Sequence, residues 1–365
     1  MIDAPALPPP AVVAPAPREV SFGLVAGSAP AGTRRVIVRV GERVLGDRPL
    51  RGPRFSLRVE LPRSEVAVRV TAVTAAGRRS STVVSHVVGL PSVAAPRAAA
   101  ARLHAGLGRS VRALTRAFSG TSGVYVEDLA SGYGAAWNAQ ARFPAASTLK
   151  LAIAVAVLRA EPRKPAARGE TASLLHAMLV RSDNEAANTL IARIGGSGRV
   201  EELLRTLDLR DSLMYGGYEV EEVRRPAARA PIPIRVDSQP RFGVGKYTSA
   251  WDLARLARAI YLAAAGRGPL PQLGVTRAEA RHLLWLLAHV GDGAKLGRFL
   301  GSSATLLHKA GWLATARHDN GLVVWNGGVF VAAVLTWKAG GVGPAADVLA
   351  GRVTQTARDV FRELG

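Results

Sequence analysis

A serine and a lysine three residues apart are the first residues in the chain that could do chemistry together. Ser147 and Lys150 open an apolar segment typical of a helix, LKLAIAVAVLRA. On a first helical turn such residues share a face, so the Lys150 amine can reach the Ser147 hydroxyl. Partial burial near a helix N-terminus is expected to lower the pKa of Lys150, which would suit it to take the serine proton. Alone, this spacing is weak, because it occurs by chance in many chains.

Two further polar motifs follow. Ser182-Asp183-Asn184 separates two apolar helical segments, where a hydroxyl and an amide can both point into a cleft. The alternative is a simple N-cap, since Ser and Asp are favoured at that position. His308-Lys309-Ala310-Gly311-Trp312 ends an apolar segment that is predicted to be a strand. There the alternative is an edge-strand lysine beside a turn glycine.

In this order the three motifs resemble SxxK, SDN and K-[TS]-G, the signature of penicillin-interacting serine enzymes. From about residue 103 to the C-terminus the chain resembles the class A β-lactamase family. VEDLASGYGAAWNAQARFPAASTLK is similar to that family's strand, turn and FxxxSTxK segment, and SDNEAANTLIARIGG to its SDNxAANLLxxxxGG segment. The resemblance implies an α/β (α+β) serine β-lactamase/DD-peptidase-like fold, an antiparallel sheet with an inserted helical domain.

The resemblance also implies a role for each motif residue. Ser147 would be the acylated nucleophile and Lys150 its proton partner. Ser182 would lie in the proton path to the leaving nitrogen, and Asn184 would hydrogen-bond the substrate amide. Lys309 would supply positive charge near Ser182 and the substrate carboxylate.

The third motif departs from the family pattern. Ala310, Gly311 and Trp312 would line the substrate site, and the backbone N–H groups of Ser147 and Trp312 would form the oxyanion hole. Ala310 stands where the family has Thr or Ser, and loss of that hydrogen bond to a β-lactam carboxylate costs about 1–3 kcal/mol. Arg317, in ATARHDNG, is the nearby candidate for a second carboxylate partner.

The deacylation base is a second point of departure. The family carries ExxLN on an omega loop, where Glu and Asn hold the hydrolytic water. Glu219 follows an aromatic residue at about the right place, but Val223 stands where Asn is expected. Glu219 is therefore either a working base or part of a solvated acidic run.

Hydrophobic periodicity predicts the elements that position these residues. Strands at both ends of the unit, with helices between them, predict one antiparallel sheet with a helical insertion. In chain order the pattern predicts a helix over 98–118, strands near 123–129 and 134–138, helices to about 300, strands at 304–308, 321–325 and 329–337, and a last helix over about 345–364.

A different pattern precedes this unit. Residues 1–17 are rich in Pro and Ala and predict an extended tail. Residues 18–90 contain short β-branched runs broken by Gly, Pro and Asp, which predict a small all-β immunoglobulin-like sandwich. Residues 91–100 predict a linker, leaving 101–365 as the hydrolase domain.

Composition excludes several functions. The 365 residues carry a net charge of +21, but the arginines are spread along the chain without interleaved aromatics. An anionic cell-wall polymer is thus a better partner than nucleic acid, which is not expected. Cysteine is absent and the 7 His lack metal-ligand spacing, so we expect no metal or organic cofactor. No apolar run approaches the roughly 20 residues of a membrane span.

Three functions stay open from the sequence. The first is β-lactam hydrolysis through a Ser147 acyl-enzyme. The second is a DD-peptidase-like or other acyl hydrolase that acts on a peptidoglycan-like peptide and releases a penicillin adduct slowly. The third is a wall-binding protein with a weakly active or inactive hydrolase domain. By resemblance we expect an extracytoplasmic location, secreted or wall-associated, although no signal peptide is visible.

Overall fold

The chain divides into two compact units, Met1–Ala95 and Pro96–Gly365. The computed structural model describes residues 6–161, 169–218 and 245–364. Across these ranges, none of the helices combines the length and the apolar character that a membrane crossing requires.

The first unit is built from strands. They are β1 (Ala11–Ala14), β2 (Val20–Ser21), β3 (Leu24–Ser28), β4 (Thr33–Val40), β5 (Arg43–Pro49), β6 (Arg54–Arg58), β7 (Glu65–Thr74) and β8 (Arg79–Gly89). They form a three-stranded sheet, β1-β3-β6, and a five-stranded sheet, β2-β8-β7-β4-β5. Alternate residues such as Val36, Val38, Val68 and Val70 are buried in one apolar cluster, which explains the period-two pattern. The immunoglobulin-like type stays a prediction.

Residues 6–17 differ from the extended tail that the sequence predicts for residues 1–17. Within that range, β1 pairs antiparallel with β3. The carbonyls of Pro8 and Pro10 accept hydrogen bonds from Ser80 Oγ at 2.6 Å and Thr82 Oγ1 at 2.5 Å. Proline lacks an N–H donor but is tolerated beside an edge strand, so this segment joins the sheet without showing an alternating pattern.

The sheet of the second unit combines strands from both ends of its sequence, as predicted. Six strands lie in the order β14-β15-β16-β10-β11-β9, and β12 pairs separately with β13. The strands are β9 (Arg102–Leu103), β10 (Thr121–Asp128), β11 (Tyr133–Trp137), β12 (Phe143–Pro144), β13 (Tyr247–Thr248), β14 (Thr305–Leu313), β15 (Ala316–Trp325) and β16 (Gly328–Trp337).

Helices cover this sheet and form the inserted part. They are α1 (Ala105–Ala117), α2 (Lys150–Ala160), α3 (Glu170–Val180), α4 (Asn184–Arg193), α5 (Gly198–Thr206), α6 (Ala250–Ala263), α7 (Arg277–Ala288) and α8 (Ala345–Leu364). On β10, Val124 and Val126 pack into the apolar cluster with α1 and α8, while Tyr125 between them packs against Trp251 of α6. The sheet is therefore covered on both faces. Helix α2 contacts α3, α4 and α5 and is buried from Lys150 to Leu158, so it forms the centre of the helical part.

The boundaries of α1, β14 and β15 differ from the sequence prediction, and β15 begins at Ala316 rather than near residue 321. Helix α1 begins at Ala105 rather than near 98, because β9 pairs with β11 and the His104 side chain then caps the helix by accepting from Leu107 N. Strand β14 continues to Leu313 rather than ending at His308, because pairing with β15 extends through the third motif. That motif is therefore part of a strand and not of a turn.

Candidate active site

Ser147 lies in the short turn between β12 and α2. Among the hydrogen bonds that fix the turn, Ala145 N donates to Lys246 O at 2.9 Å, and Thr148 Oγ1 donates to Ala145 O at 2.6 Å. Ala146 has a φ of 47°, a left-handed conformation that is unfavourable for a non-glycine residue and is often found at functional sites. Ser147 itself is partly exposed at the start of a buried helix.

The Lys150 amine is completely buried and joins the first two motifs. Its Nζ donates to Ser147 Oγ at 3.2 Å, to Ser182 O at 2.6 Å and to Asn184 Oδ1 at 2.5 Å. These bonds use the three donors of an ammonium group. The spacing argument for a Ser147–Lys150 contact thus corresponds to a direct hydrogen bond.

The residues of the second motif have two different roles: Asp183 caps a helix, and Ser182 and Asn184 contact Lys150. Asp183 is the N-cap of α4, and its Oδ1 accepts from Ala186 N at 2.8 Å. Ser182 has a φ of 60°, which turns the chain between α3 and α4. Ser182 and Asn184, on either side of the cap, both contact Lys150. The N-cap interpretation therefore holds for Asp183, and its two neighbours belong to the polar cluster.

Lys309 reaches the same cluster from the edge strand β14. It is 2% exposed, and its Nζ donates to Ser182 Oγ and to Ala310 O, both at 3.0 Å. Burial, together with the nearby charge of Lys150, lowers the pKa of Lys309 to about 7. Ser182 is thereby held between two amines: its carbonyl accepts from Lys150 and its hydroxyl accepts from Lys309.

Gly311 allows β14 to run directly beside the nucleophile. A Cβ atom placed on Gly311 would lie 2.8 Å from Ser147 N, inside van der Waals contact. Ala310 is buried, whereas the Trp312 side chain is 69% exposed. Because β14 is an edge strand, part of its backbone has no strand partner on this side. The role of the Ser147 and Trp312 N–H groups as an oxyanion hole stays a prediction.

Two buried histidines support β14 and the nucleophile turn. His308 Nδ1 lies 2.7 Å from Asp319 Oδ1. On β15, His318 Nδ1 accepts from Thr336 N at 3.2 Å, so its Nε2 carries the proton and donates to Pro144 O at 2.7 Å. Burial lowers the pKa of His318 to about 4, which keeps the ring neutral.

Two predicted residues are not placed in this cluster. The Arg317 guanidinium forms an ion pair with Asp347 of α8, while its backbone lies opposite Trp312 in the register of β14 and β15. Its side chain alternates along β15 with that of His318, which faces Pro144. The role of Arg317 as a partner of the substrate carboxylate stays a prediction. Glu219 lies outside the described residues.

The sequence analysis missed three residues at this site. The Tyr218 ring centroid lies 4.5 Å from both Lys150 Nζ and Lys246 Nζ. Asn188 of α4 accepts from Tyr218 N at 2.7 Å and donates to Tyr218 O at 2.9 Å. The available signal was the rarity of lysine: the chain has only 6, and three of them, Lys150, Lys246 and Lys309, lie here.

The arrangement fits acyl transfer. The Ser147 hydroxyl contacts the Lys150 amine, which supplies a nucleophile and a base, and the Ser182 hydroxyl contacts the Lys309 amine, while the Ser182 carbonyl accepts from Lys150. Among the residues that the structure describes, no group of three or more acidic or histidine side chains is placed to hold a metal ion.

The chain was compared with models of protein families and with solved structures. A model described as the beta-lactamase enzyme family matches residues 106–168 and 161–361. PBP-A is a similar solved structure, at 21% identity over 73% of this chain and 99% of that chain, with a TM-score of 0.58. A class A β-lactamase from Mycobacterium abscessus is 19% identical over 70% and 99%, with a TM-score of 0.57.

A β-lactamase from Sphaerobacter thermophilus DSM 20745 is 22% identical over 72% of this chain and 98% of its own, with a TM-score of 0.54. At these identities the structural similarity establishes the fold of the second unit. No curated protein matches the chain.

Proposed function

The chain belongs to the beta-lactamase enzyme family, and we propose that it is a serine hydrolase that opens an amide through a covalent ester on Ser147. The observation that carries this proposal is the contact between Ser147 Oγ and the completely buried amine of Lys150 at 3.2 Å. A hydroxyl is a weak nucleophile unless a base removes its proton, and Lys150 is the base within reach.

Acylation can be written with the residues of the cluster. Ser147 Oγ attacks the amide carbonyl carbon, and its proton passes to the neutral form of Lys150. Collapse of the tetrahedral intermediate breaks the C–N bond, and the leaving nitrogen takes a proton through Ser182, whose hydroxyl accepts from Lys309. The products are a Ser147 ester and a free amine, which in a β-lactam stays attached to the acyl group.

A β-lactam is the substrate class that we propose first. Its carboxylate complements the positive charge of Lys309, and Asn184 lies beside Lys150, where it can donate to the substrate amide. One similar solved structure is an acyl-enzyme complex of a PBP-A mutant with penicillin G, at 22% identity and a TM-score of 0.57. Ala310 lacks the hydroxyl expected at its position, so binding of the carboxylate should be weaker than with Thr or Ser there.

The same chemistry opens the acyclic amide of a peptidoglycan-like peptide, which is the second substrate class. An extracytoplasmic location belongs to this proposal, because such peptides lie outside the cytoplasmic membrane. In either case water must later cleave the ester, and Glu219 is the base that we propose for that step from the sequence.

The experiment is intact-protein mass spectrometry after incubation with penicillin G. We expect the mass of one penicillin to be added to the wild type and to Ser173→Ala, a control serine on α3, and nothing to be added to Ser147→Ala. In Lys150→Met acylation should slow by about 100-fold or more. An adduct that survives in Ser147→Ala, or its absence from the wild type, would contradict the proposal.

A further inference from the structure

An aromatic ring closes one side of the Ser147–Lys150 pair. The Tyr218 side chain is 7% exposed, and its ring faces the Lys150 amine, with 4.5 Å between Nζ and the ring centroid. Lys150 Nζ is in turn 3.2 Å from Ser147 Oγ. The space next to the base of the acylation step is thus occupied by a hydrocarbon face.

The ring is held in place from two directions. Asn188 exchanges two hydrogen bonds with the Tyr218 backbone, and Lys246 Nζ donates to Gly217 O at 2.6 Å while lying 4.5 Å from the Tyr218 ring centroid. Attraction between an ammonium and an aromatic face stabilises both lysine contacts. Tyr218 is therefore fixed between two amines rather than free to swing away.

We propose that the Tyr218 ring shields the Ser147 ester from water, so that the acyl-enzyme forms readily and hydrolyses slowly. This inference rests on the proposed function and concerns its second half-reaction. There, water attacks the acyl carbon, the bond from that carbon to Ser147 Oγ breaks, Oγ takes a proton, and the acyl group leaves as a carboxylic acid. The water needs room beside the ester and a base that accepts its proton.

Tyr218 supplies neither of these. Its ring fills the space with carbon atoms, and burial raises the pKa of its hydroxyl well above the ordinary value, so the phenol stays protonated at neutral pH. Within the described part of the chain this buried hydroxyl has no hydrogen-bond partner. We therefore expect the ring to restrict the approach of the water that Glu219, the proposed base, would activate, and the penicillin adduct to be long-lived.

The test measures acylation and deacylation separately. The wild type, Tyr218→Phe, Tyr218→Ala and Tyr218→Glu are each labelled with penicillin G, excess reagent is removed, and the remaining adduct is followed by mass. Tyr218→Phe keeps the ring and should keep the wild-type half-life. Tyr218→Ala opens the space and should shorten the half-life by about tenfold, and Tyr218→Glu, which adds a base, by about 100-fold.

The half-lives of the adducts support or overturn shielding by Tyr218. Damage to the fold would slow acylation and would not accelerate deacylation, so a shorter half-life at an unchanged acylation rate supports shielding. If Tyr218→Ala does not fold, the half-lives of Tyr218→Phe and Tyr218→Glu decide. Unchanged half-lives, or a wild-type adduct lost as fast as that of Tyr218→Glu, overturn the inference but leave the proposed function intact. A wild type that forms no adduct overturns both.

Discussion

Asn184 and Asn188 lie one turn apart on the same face of α4 and act on neighbouring parts of the site. Asn184 Oδ1 accepts from Lys150 Nζ at 2.5 Å, and the Asn188 amide holds the backbone of Tyr218 through bonds of 2.7 and 2.9 Å. A single helix thus sets the position of the base and of the ring that covers it.

Replacing Asn188 should loosen Tyr218 without touching the nucleophile. In Asn188→Ala two hydrogen bonds are lost, at about 1 kcal/mol each, so we expect the free energy of unfolding to fall by about 2 kcal/mol. The half-life of the penicillin adduct should fall as well, because the ring is no longer held over Lys150. Thr189→Ala, at the next position of α4, is the control. Equal half-lives in the two variants would show that Asn188 does not position the ring.

Close packing of Gly311 against Ser147 N predicts a strong effect of one methyl group. In Gly311→Ala the new Cβ would lie 2.8 Å from that backbone nitrogen, so β14 or the nucleophile turn must shift. We expect acylation to slow by about tenfold or more and stability to fall by about 1–3 kcal/mol. Gly340→Ala is the matched control, because no atom lies within 4 Å of its Cβ position. Equal acylation rates in both variants would contradict this packing argument.

The pKa of Lys309 predicts a pH dependence for substrate binding. Because that pKa is lowered to about 7, the ammonium loses its charge as the pH rises through this value. The KM for penicillin G should therefore rise between about pH 6 and pH 8 in the wild type, and stay level in Lys309→Arg, whose guanidinium remains charged. A KM that rises equally in both would mean that another group binds the carboxylate.

The lowered pKa of Lys309 also makes the free energy of unfolding depend on pH. The unfolded lysine titrates near 10.5 and the folded one near 7, so the unfolded chain binds more protons between these values. The free energy of unfolding should thus rise with pH across that window, and this rise should disappear in Lys309→Met. Urea unfolding at several pH values measures it, and an identical slope in wild type and variant would contradict the assignment.

His318 predicts sensitivity to acid. Its pKa is lowered from 6.5 to about 4, so the unfolded chain takes up a proton at a pH at which the folded protein does not. Stability is then lost as the pH falls from 6.5 to 4, by roughly 3 kcal/mol at most. Protonation would also set a second N–H against Thr336 N, which now donates to Nδ1. His318→Gln should show a smaller loss between about pH 7 and pH 5, measured by urea unfolding. A loss as large as that of the wild type would assign the acid sensitivity to other groups.

Much of the second unit could be predicted from sequence because its signals are local. Helix periodicity locates α8, β-branched runs locate β10 and β16, and the spacing of Ser147 and Lys150 predicts their contact. The end of a strand depends less on local sequence. Pairing with β15 carries β14 beyond His308, and that decision depends on a partner strand rather than on the residues of the motif.

The remaining parts of the site could not be read from spacing. Tyr218 and Lys246 belong to no motif and meet Lys150 only through tertiary packing. Likewise, the proline-rich segment before residue 18 joins a sheet through β1 although it has no alternating pattern. For Arg317, proximity in sequence to the third motif does not determine which face of β15 its side chain occupies, and only the structure shows its ion pair with Asp347.

The origin of the sheet from two distant parts of the sequence has a kinetic consequence. Ser147 follows β12, whereas Lys309 lies on β14 near the end of the unit, so their cluster exists only after a long-range loop has closed. Such contacts are costly in entropy and form slowly. Covalent capture of penicillin thus becomes a reporter of completed folding: a partly folded chain can contain every helix and still lack a reactive serine.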